Sequence, residues 1–428
     1  MLLGCIADDI TGATDLALML SRSGMRTIQV MGVPDEGVPF DDYDAVVVAL
    51  KSRTIAPDDA IAMSCASLDA LQANGARQIF FKYCSTFDST PDGNIGPVAD
   101  ALFDRLGGGV AIVCPAFPAN ARSIYQGHLF VGDMLLSDSP MKDHPLTPMT
   151  DANLVRVMAA QCRRPVGVVP HATVAAGADA VRAAFANLAQ NNGAYAVVDA
   201  IDDGDLITIR KAVADHALLT GGSGIAMGLA DNFIAAGLME RTDPATTIAA
   251  RSGRAVVLAG SCSTATRGQI GTAMESGAPA LRIDPADVVT GKQTADAVAR
   301  WVIDQPSAAA PIVYSSDDPA RVAEVQAAPG RNETGAAIEH LLSDVAQQLA
   351  EAGFTRTIVA GGETSGAVAD GLGVRAIEIG PEIDPGVPWV RSLDDRKLTL
   401  AFKSGNFGAP DFFTKAFALL RDADADAV

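Results

Sequence analysis

Three acidic side chains cluster in IADDITGATD (Ile6–Asp15): Asp8 and Asp9 come straight off an apolar run, and Asp15 follows further round the next element. Carboxylates placed in this way can grip sugar hydroxyls, take a proton from a nucleophilic hydroxyl, or hold Mg2+. Thr11 and Gly12 open a helix there. An Asp before a helix is also an ordinary N-cap, which accounts for one of the acids but hardly the set. KSRT (Lys51–Thr54) and FKYCSTFDSTPDGNIGP (Phe81–Pro97) add Arg53 and Lys82. Both suit a carboxylate, the Arg through a bidentate fork. Ser85, Thr86, Asp88 and Asn94 could read hydroxyls, and PAFPANARSIYQGHLF (Pro115–Phe130) adds Asn120 and Arg122. Each loop is weak alone; their convergence at one sheet edge is what points to a ligand.

A second group of loops suits phosphate. LAGSCSTATRGQI (Leu258–Ile270) runs strand, glycine, small hydroxyl residues, helix. Ser261, Ser263 and Thr264 could cap that helix and leave its free N–H groups facing an anion. VAGGETSGAV (Val359–Val368) repeats the device with Gly361, Gly362, Glu363 and Thr364. KSGNFG (Lys403–Gly408) closes the set with a Lys, two glycines (Gly405 the first) and an Asn. TGGSGIAMG (Thr220–Gly228) reads as a glycine-rich helix start, open to anion binding or to tight packing. Common signatures are missing: no G-x-x-x-x-G-K-[ST], no G-x-G-x-x-G after the first strand, no H-E-x-x-H and no G-x-S-x-G. His128 and His144 lack ligand spacing, so they read as structural and not as zinc ligands.

The elements that must position these residues follow a strand–loop–helix rhythm, which implies βαβ units and parallel sheets. Strands are expected at Leu2–Ala7, Thr27–Met31, Ala45–Ala49, Gln78–Lys82, Val110–Cys114, Val166–Val169 and Ala194–Asp199, with a helix from Gly12 to Ser23. After a polar, proline-bearing boundary at Arg241–Gly253 the rhythm restarts at Ala255–Ala259. It continues through Leu281–Ile283, Pro311–Tyr314, Thr357–Ala360, Ala376–Ile379 and Leu398–Phe402, with a long helix from Gly335 to Ala352. The stretch Asn120–Asp151 is weakly periodic and reads as a functional loop or a surface crossover. A chain of 428 residues is too long for one ordinary core. The expectation is therefore an α/β protein of two domains, 1–240 and 254–420. Each would be a mostly parallel sheet flanked by helices, with the active site in the cleft between them.

Composition narrows the function. A net charge of −19 argues against nucleic acid, whose binding needs a basic footprint. Phosphate must then be met locally, by backbone N–H groups and a few placed cations. The six cysteines lie far apart and read as buried free thiols. No signal peptide and no membrane-spanning run are visible, so the chain reads as cytoplasmic. A homodimer is a further expectation.

Taken together, these stretches resemble the four-carbon acid sugar kinase family over nearly the whole chain. The motifs run from IADDITGATD through KYCSTFDSTPDGNIGP, PAFPANARSIYQGHLFVGDMLL, KDHPLTPMTDANL, TGGSG, GSCSTAT and GGETSG to KSGNFG. KYCSTFDST with HPLTPMTDANL resembles the branch that acts on 3-oxo-tetronate; the K-x-D-S-T-L-R-G-like version usual in threonate and erythronate kinases is absent. One departure is Ala121, where the resemblance leads us to expect glycine beside Asn120. The resemblance implies a sugar-acid-binding N-terminal domain and a nucleotide-binding C-terminal domain. It also implies transfer from ATP, with Mg2+ offsetting charge, to the C4 hydroxyl of the acid. ATP would touch Ser261 or Ser263, then Gly361, Gly362, Glu363, Thr364 and Gly405. The acid would lie against Asp8, Asp9, Arg53, Lys82 and their neighbours. Asp9 is the first choice to take the acceptor proton, with Asp8, Asp15 and Asp88 as rivals. The competing readings are a kinase for threonate, erythronate or another sugar acid, a non-catalytic sugar-acid sensor, and a dehydrogenase.

Overall fold

Runs such as Ala45–Ala49 (AVVVA) and Val110–Cys114 (VAIVC) carry no polar residue on either face, so they are stable only as strands covered on both sides. The computed structural model describes residues 1–35, 38–144, 147–190, 194–243, 252–306, 308, 310–315 and 331–425. The chain divides into two compact units, Met1–Pro244 and Ala245–Val428.

In the first unit, the strands are β1 (Leu3–Ala7), β2 (Thr27–Met31), β3 (Ala45–Ala49), β4 (Gln78–Lys82), β5 (Val110–Cys114), β6 (Arg122–Tyr125), β7 (His128–Val131), β8 (Met134–Leu135), β9 (Val166–Val169), β10 (Ala194–Val198) and β11 (Leu218–Gly221). Its main sheet has the order β2-β3-β1-β4-β11-β5-β10-β9, every neighbouring pair parallel. The register sets Ala7 beside Ala49 and Lys82, Lys82 beside Gly221, and Gly221 beside Cys114. The carboxyl ends of five strands thus form one row, the edge where open α/β sheets bind ligands. The helix Ile10–Arg22 starts immediately after β1 because Asp9, extended at φ −145°, caps it by accepting from the Gly12 N–H. Its apolar side (Ile10, Ala13, Leu16, Ala17, Leu20) is buried.

Two features of this unit differ from the sequence expectation. The stretch from Asn120 carries a small antiparallel sheet, β6-β7-β8. Gln126 and Gly127, at φ 51° and 71°, make the two-residue turn between its first strands. Backbone bonds tie it to the body, from Ile124 to Ala200 and from Leu129 to Ala152. TGGSG itself does not open an α-helix: Thr220 and Gly221 end β11, a 3-10 turn, Ser223–Ala226, follows, and the next α-helix, Ala230–Ala235, is only six residues long. Its glycines serve packing, since a Cβ on Gly221, Gly222 or Gly224 would meet the carbonyl oxygen of Cys114, Pro115 or Ala116 at 2.2–2.8 Å.

In the second unit, the strands are β12 (Arg254–Ala259), β13 (Ala280–Arg282), β14 (Ile312–Tyr314), β15 (Phe354–Ala360), β16 (Ala376–Asp384), β17 (Val387–Ser392) and β18 (Thr399–Lys403). Their order is β13-β14-β12-β15-β18-β17-β16. The first five are parallel, and β17 runs antiparallel to both its neighbours. Trp389 on β17 is fully buried, donates from its indole N–H to the Ala416 carbonyl, and packs on Phe417 of the helix Phe412–Ala425. The mostly parallel α/β sheets flanked by helices agree with the sequence expectation. Among the described residues no helix is long and apolar enough to cross a membrane.

Candidate functional site

In the first unit, Arg53 gathers the acids that follow β1. Its Nε and Nη2 fork onto the two oxygens of Asp8 at 2.9 and 2.8 Å, and Nη2 also reaches Asp9 Oδ1 at 2.6 Å. Nη1 stands 3.8 Å from Asp88 Oδ2. Lys82, the last residue of β4, places its ammonium 3.7 Å from Asp9 Oδ1. The Lys82 side chain is 6% exposed, and among the described residues this ion pair is the one polar contact of its nitrogen. A nearly buried cation with a single distant partner has donor capacity left for an anionic ligand. Asp9 Oδ2 accepts from Thr11 Oγ1 at 2.8 Å and from the Gly12 N–H at 3.2 Å.

Burial pushes the Asp9 carboxyl up. The charges of Arg53 and Lys82, with the Thr11 and Gly12 donors, outweigh it and hold the carboxyl well below the usual carboxylate range. Burial likewise opposes the charge on Arg53, but Asp8 and Asp9 keep it firmly protonated.

The loop after β4 is folded tightly around this cluster. Phe87 and Asp88 take φ values of 66° and 36°, a left-handed pair that costs an L-residue energy and is found where structure imposes it. The strain turns Asp88 Oδ1 onto Thr86 Oγ1 at 2.6 Å, while Oδ2 accepts no hydrogen bond among the described residues. Ser85 is half-buried beside them. Asn94 does not point outward: its amide donates to the carbonyls of Ser52, Arg53 and Ile55 at 2.6, 3.3 and 2.9 Å, fixing the loop that carries Arg53. Asp15 is buried one turn along the first helix.

Asn120 and Arg122 stand apart from the acids. They follow β5, three strands from β1, about 14 Å at the usual inter-strand spacing. Arg122 donates to the Asn120 carbonyl across Ala121, which sits at φ 57°, ψ 38°. That left-handed conformation is the one glycine adopts freely, so the departure at 121 places an alanine where the backbone favours glycine.

In the second unit, three loops at the carboxyl ends of β12, β15 and β18 close on one another. Gly260, Gly361 and Gly405 permit it. A Cβ on Gly260 would meet Thr364 Oγ1 at 2.1 Å, and one on Gly405 would meet Ser261 Oγ at 2.4 Å. Gly361 takes φ 128°. The helices Thr264–Glu275 and Gly362–Gly371 therefore begin side by side after adjacent parallel strands, their first N–H groups at the same edge. Ser263 caps the first helix, accepting from the Thr266 N–H at 3.2 Å, and donates to the Gly405 carbonyl at 2.5 Å. Ser261 Oγ accepts from the Ser263 N–H at 3.2 Å. Glu363 is exposed in the first turn of the second helix, and Gly362 has open space where a Cβ would stand.

This arrangement fits nucleotide phosphates: two helix N-termini, small side chains, and room beside Gly362. It fits Mg2+ only as an ion brought in on phosphate. Such an ion needs one or two protein oxygens at most, and the described residues hold no cluster of three or more metal-binding side chains.

Lys403, Thr266 and Gln269 complete this site; sequence reasoning named the Lys of KSGNFG and singled out neither Thr266 nor Gln269. Lys403 has no exposed surface, and its ammonium bonds to Thr266 Oγ1 and to the carbonyls of Ser404, Gly405 and Phe407, each at 3.0 Å. Thr266 and Gln269, three residues apart on one helix face, were the available signal. Cavities of about 510 Å3 and 410 Å3 open at the amino ends of the strands, around Ala255 and Ile312 in one unit and Val110 and Leu218 in the other. They lie at the opposite sheet edge from the polar clusters, so the clusters and not the cavities mark the site.

Known proteins identify the family. Residues 3–229 match a family model described as a sugar-binding N-terminal domain, and residues 256–413 one described as a nucleotide-binding C-terminal domain. The chain is 51% identical to a 3-oxo-tetronate kinase of Cupriavidus necator, covering 98% of this chain and 97% of that one. It is also 51% identical to a 3-oxo-tetronate kinase of Burkholderia multivorans, covering 99% and 98%. A solved structure from Salmonella typhimurium LT2, provisionally described as a tRNA synthase, superposes with a TM-score of 0.87 at 44% identity, over 97% of this chain and 98% of that one. Two domain models over most of the chain and full-length relatives at half identity leave one conclusion: the chain belongs to the four-carbon acid sugar kinase family and is a kinase enzyme.

Proposed function

We propose that this kinase phosphorylates the C4 hydroxyl of 3-oxo-tetronate at the expense of ATP, giving the 4-phosphate. The first unit holds the acid and the second the nucleotide. The observation that carries the substrate half is Lys82: a nearly buried ammonium whose ion pair with Asp9 is as long as 3.7 Å suits the substrate carboxylate. Arg53 keeps Asp8 and Asp9 in place around it.

ATP would supply the phosphoryl group, with Mg2+ offsetting charge. Ser261, Gly361, Gly362, Glu363, Thr364 and Gly405 line the phosphate seat, and Ser263 holds its loops together. Asp9 is ionised at neutral pH and accepts a hydrogen bond from the C4 hydroxyl, orienting it for attack. A loose phosphoryl-transfer transition state asks for little proton removal before the transfer, so an acid of lowered basicity serves. Asp88, whose Oδ2 has only the Arg53 guanidinium at 3.8 Å and accepts no hydrogen bond among the described residues, is the rival.

The 51% relatives named as 3-oxo-tetronate kinases favour that acid over threonate or erythronate. ADP release measured across a panel of four-carbon acids tests the reading. Turnover confined to 3-oxo acids supports it, turnover on threonate or erythronate moves the substrate within the family, and no turnover with any of them rejects it.

A further inference from the structure

The KSGNFG loop is held from one side only. Its carbonyls turn inward: Ser404 O to Lys403 Nζ; Gly405 O to Lys403 Nζ, Ser263 Oγ and Thr266 Oγ1; and Phe407 O to Lys403 Nζ and Gln269 Nε2. Gln269 Nε2 also reaches the carbonyls of Gly408 and Ala409 at 2.9 and 3.1 Å. In a trans peptide the C=O and the following N–H point in opposite directions. No cis peptide bond occurs among the described residues. Carbonyls 404, 405 and 407 fixed inward therefore turn the N–H groups of Gly405, Asn406 and Gly408 outward. None of these three N–H groups has a hydrogen-bond partner among the described residues, and Asn406 is exposed.

A Lys in a phosphate-type loop is ordinarily taken as the residue that reaches the phosphate. Lys403 cannot do this, being fully buried with its ammonium spent on four oxygens. We propose that Lys403, seconded by Gln269, is an internal positioning residue that holds the loop carbonyls inward, so that the amides of Gly405, Asn406 and Gly408 form an anion-binding rim for nucleotide phosphate. Successive outward N–H groups are a known concavity for anions. The buried positive charge adds to the rim's potential without touching the ligand. The proposal rests on the second unit being the nucleotide seat. Burial pushes the Lys403 ammonium down to about 8, so the device weakens in mild alkali.

The test is ADP binding to the full chain, by calorimetry, with the sugar acid titrated separately. Lys403→Met keeps the apolar stem and removes the donors; it is expected to weaken ADP about tenfold, the scale of a charge-assisted hydrogen-bond network, and to leave sugar-acid affinity unchanged. The native chain is expected to lose ADP affinity as the pH rises through about 8, and Lys403→Met to show no such step. That profile requires no substitution, and Gln269→Leu, read in the same way, serves if Lys403→Met does not fold. A folded Lys403→Met chain that binds ADP as the native chain does, or a native profile flat across that range, overturns the proposal alone. A native chain that binds no ADP sinks the nucleotide reading and this proposal with it.

Discussion

Gly12 and Lys82 share one space: a Cβ on Gly12 would stand 1.9 Å from Lys82 Nζ and 2.3 Å from Asp9 Oδ1. Gly12 lies within a helix, where alanine would otherwise be preferred by about 1 kcal/mol. Its cost is accepted where a buried ammonium must pass. Gly12→Ala should displace Lys82 and raise the KM for the sugar acid about tenfold, the value of one charge-assisted contact, with little change in Tm. Steady-state kinetics beside a thermal melt check this; an unchanged KM in a folded variant would mean that Lys82 does not hold the acid.

Asp9 both caps a helix and faces Arg53 and Lys82. Asparagine caps as well as aspartate, so Asp9→Asn should fold. Its kcat should fall about a hundredfold or more, the usual scale for a positioned acid–base group. Asp88→Asn should lose far less. The reverse order of losses would transfer the hydroxyl-orienting role to Asp88.

Asn94 acts through Arg53. Truncation to alanine frees three carbonyls at 52, 53 and 55, the first buried and the other two partly so. The expected loss is about 2–3 kcal/mol of stability, the cost of unsatisfied buried acceptors, together with a raised KM for the acid. Chemical denaturation and kinetics on the same preparation report both. A variant destabilised with its KM intact would make Asn94 a fold residue only.

Much of this was legible in the sequence, and the exceptions share a cause. Strands β1, β3 and β5 are continuous apolar runs and β4 is apolar between Gln78 and Lys82, each leading into a polar loop, so the strands and the residues at their carboxyl ends could be read directly. The hairpin at Gln126-Gly127 was missed because its two strands are four residues each and bury only Ile124 and Leu129, too little to show a period. β17 was missed because Pro388 demotes its run, although Asp384-Pro385-Gly386 just before it is a turn signal. In the candidate site, residue types announced the acids and glycine loops, but not what each side chain faces. Asn94 looked like a ligand reader and holds a loop. Lys403 looked like a phosphate ligand and bonds to Thr266, 137 residues away. Contacts of that separation have no local signature.

Lys403 also sets a stability profile. Its folded value is lowered to about 8 by burial, whereas the unfolded chain keeps the proton to about 10.4. Between those values the unfolded state binds more protons, so stability should rise with pH across this window, by about 3 kcal/mol at most. Lys403→Met should lack that rise. Denaturant unfolding of both chains at matched pH isolates the difference. Nucleotide affinity is expected to fall over the same range, so the two curves should run in opposite directions.

The product of the reaction tests the central claim most directly. With ATP, Mg2+ and 3-oxo-tetronate, phosphorus and carbon NMR should show one ADP formed for each acid consumed and phosphate coupled to C4. Phosphate on any other atom, or acid left unchanged while ATP is bound, would contradict the account.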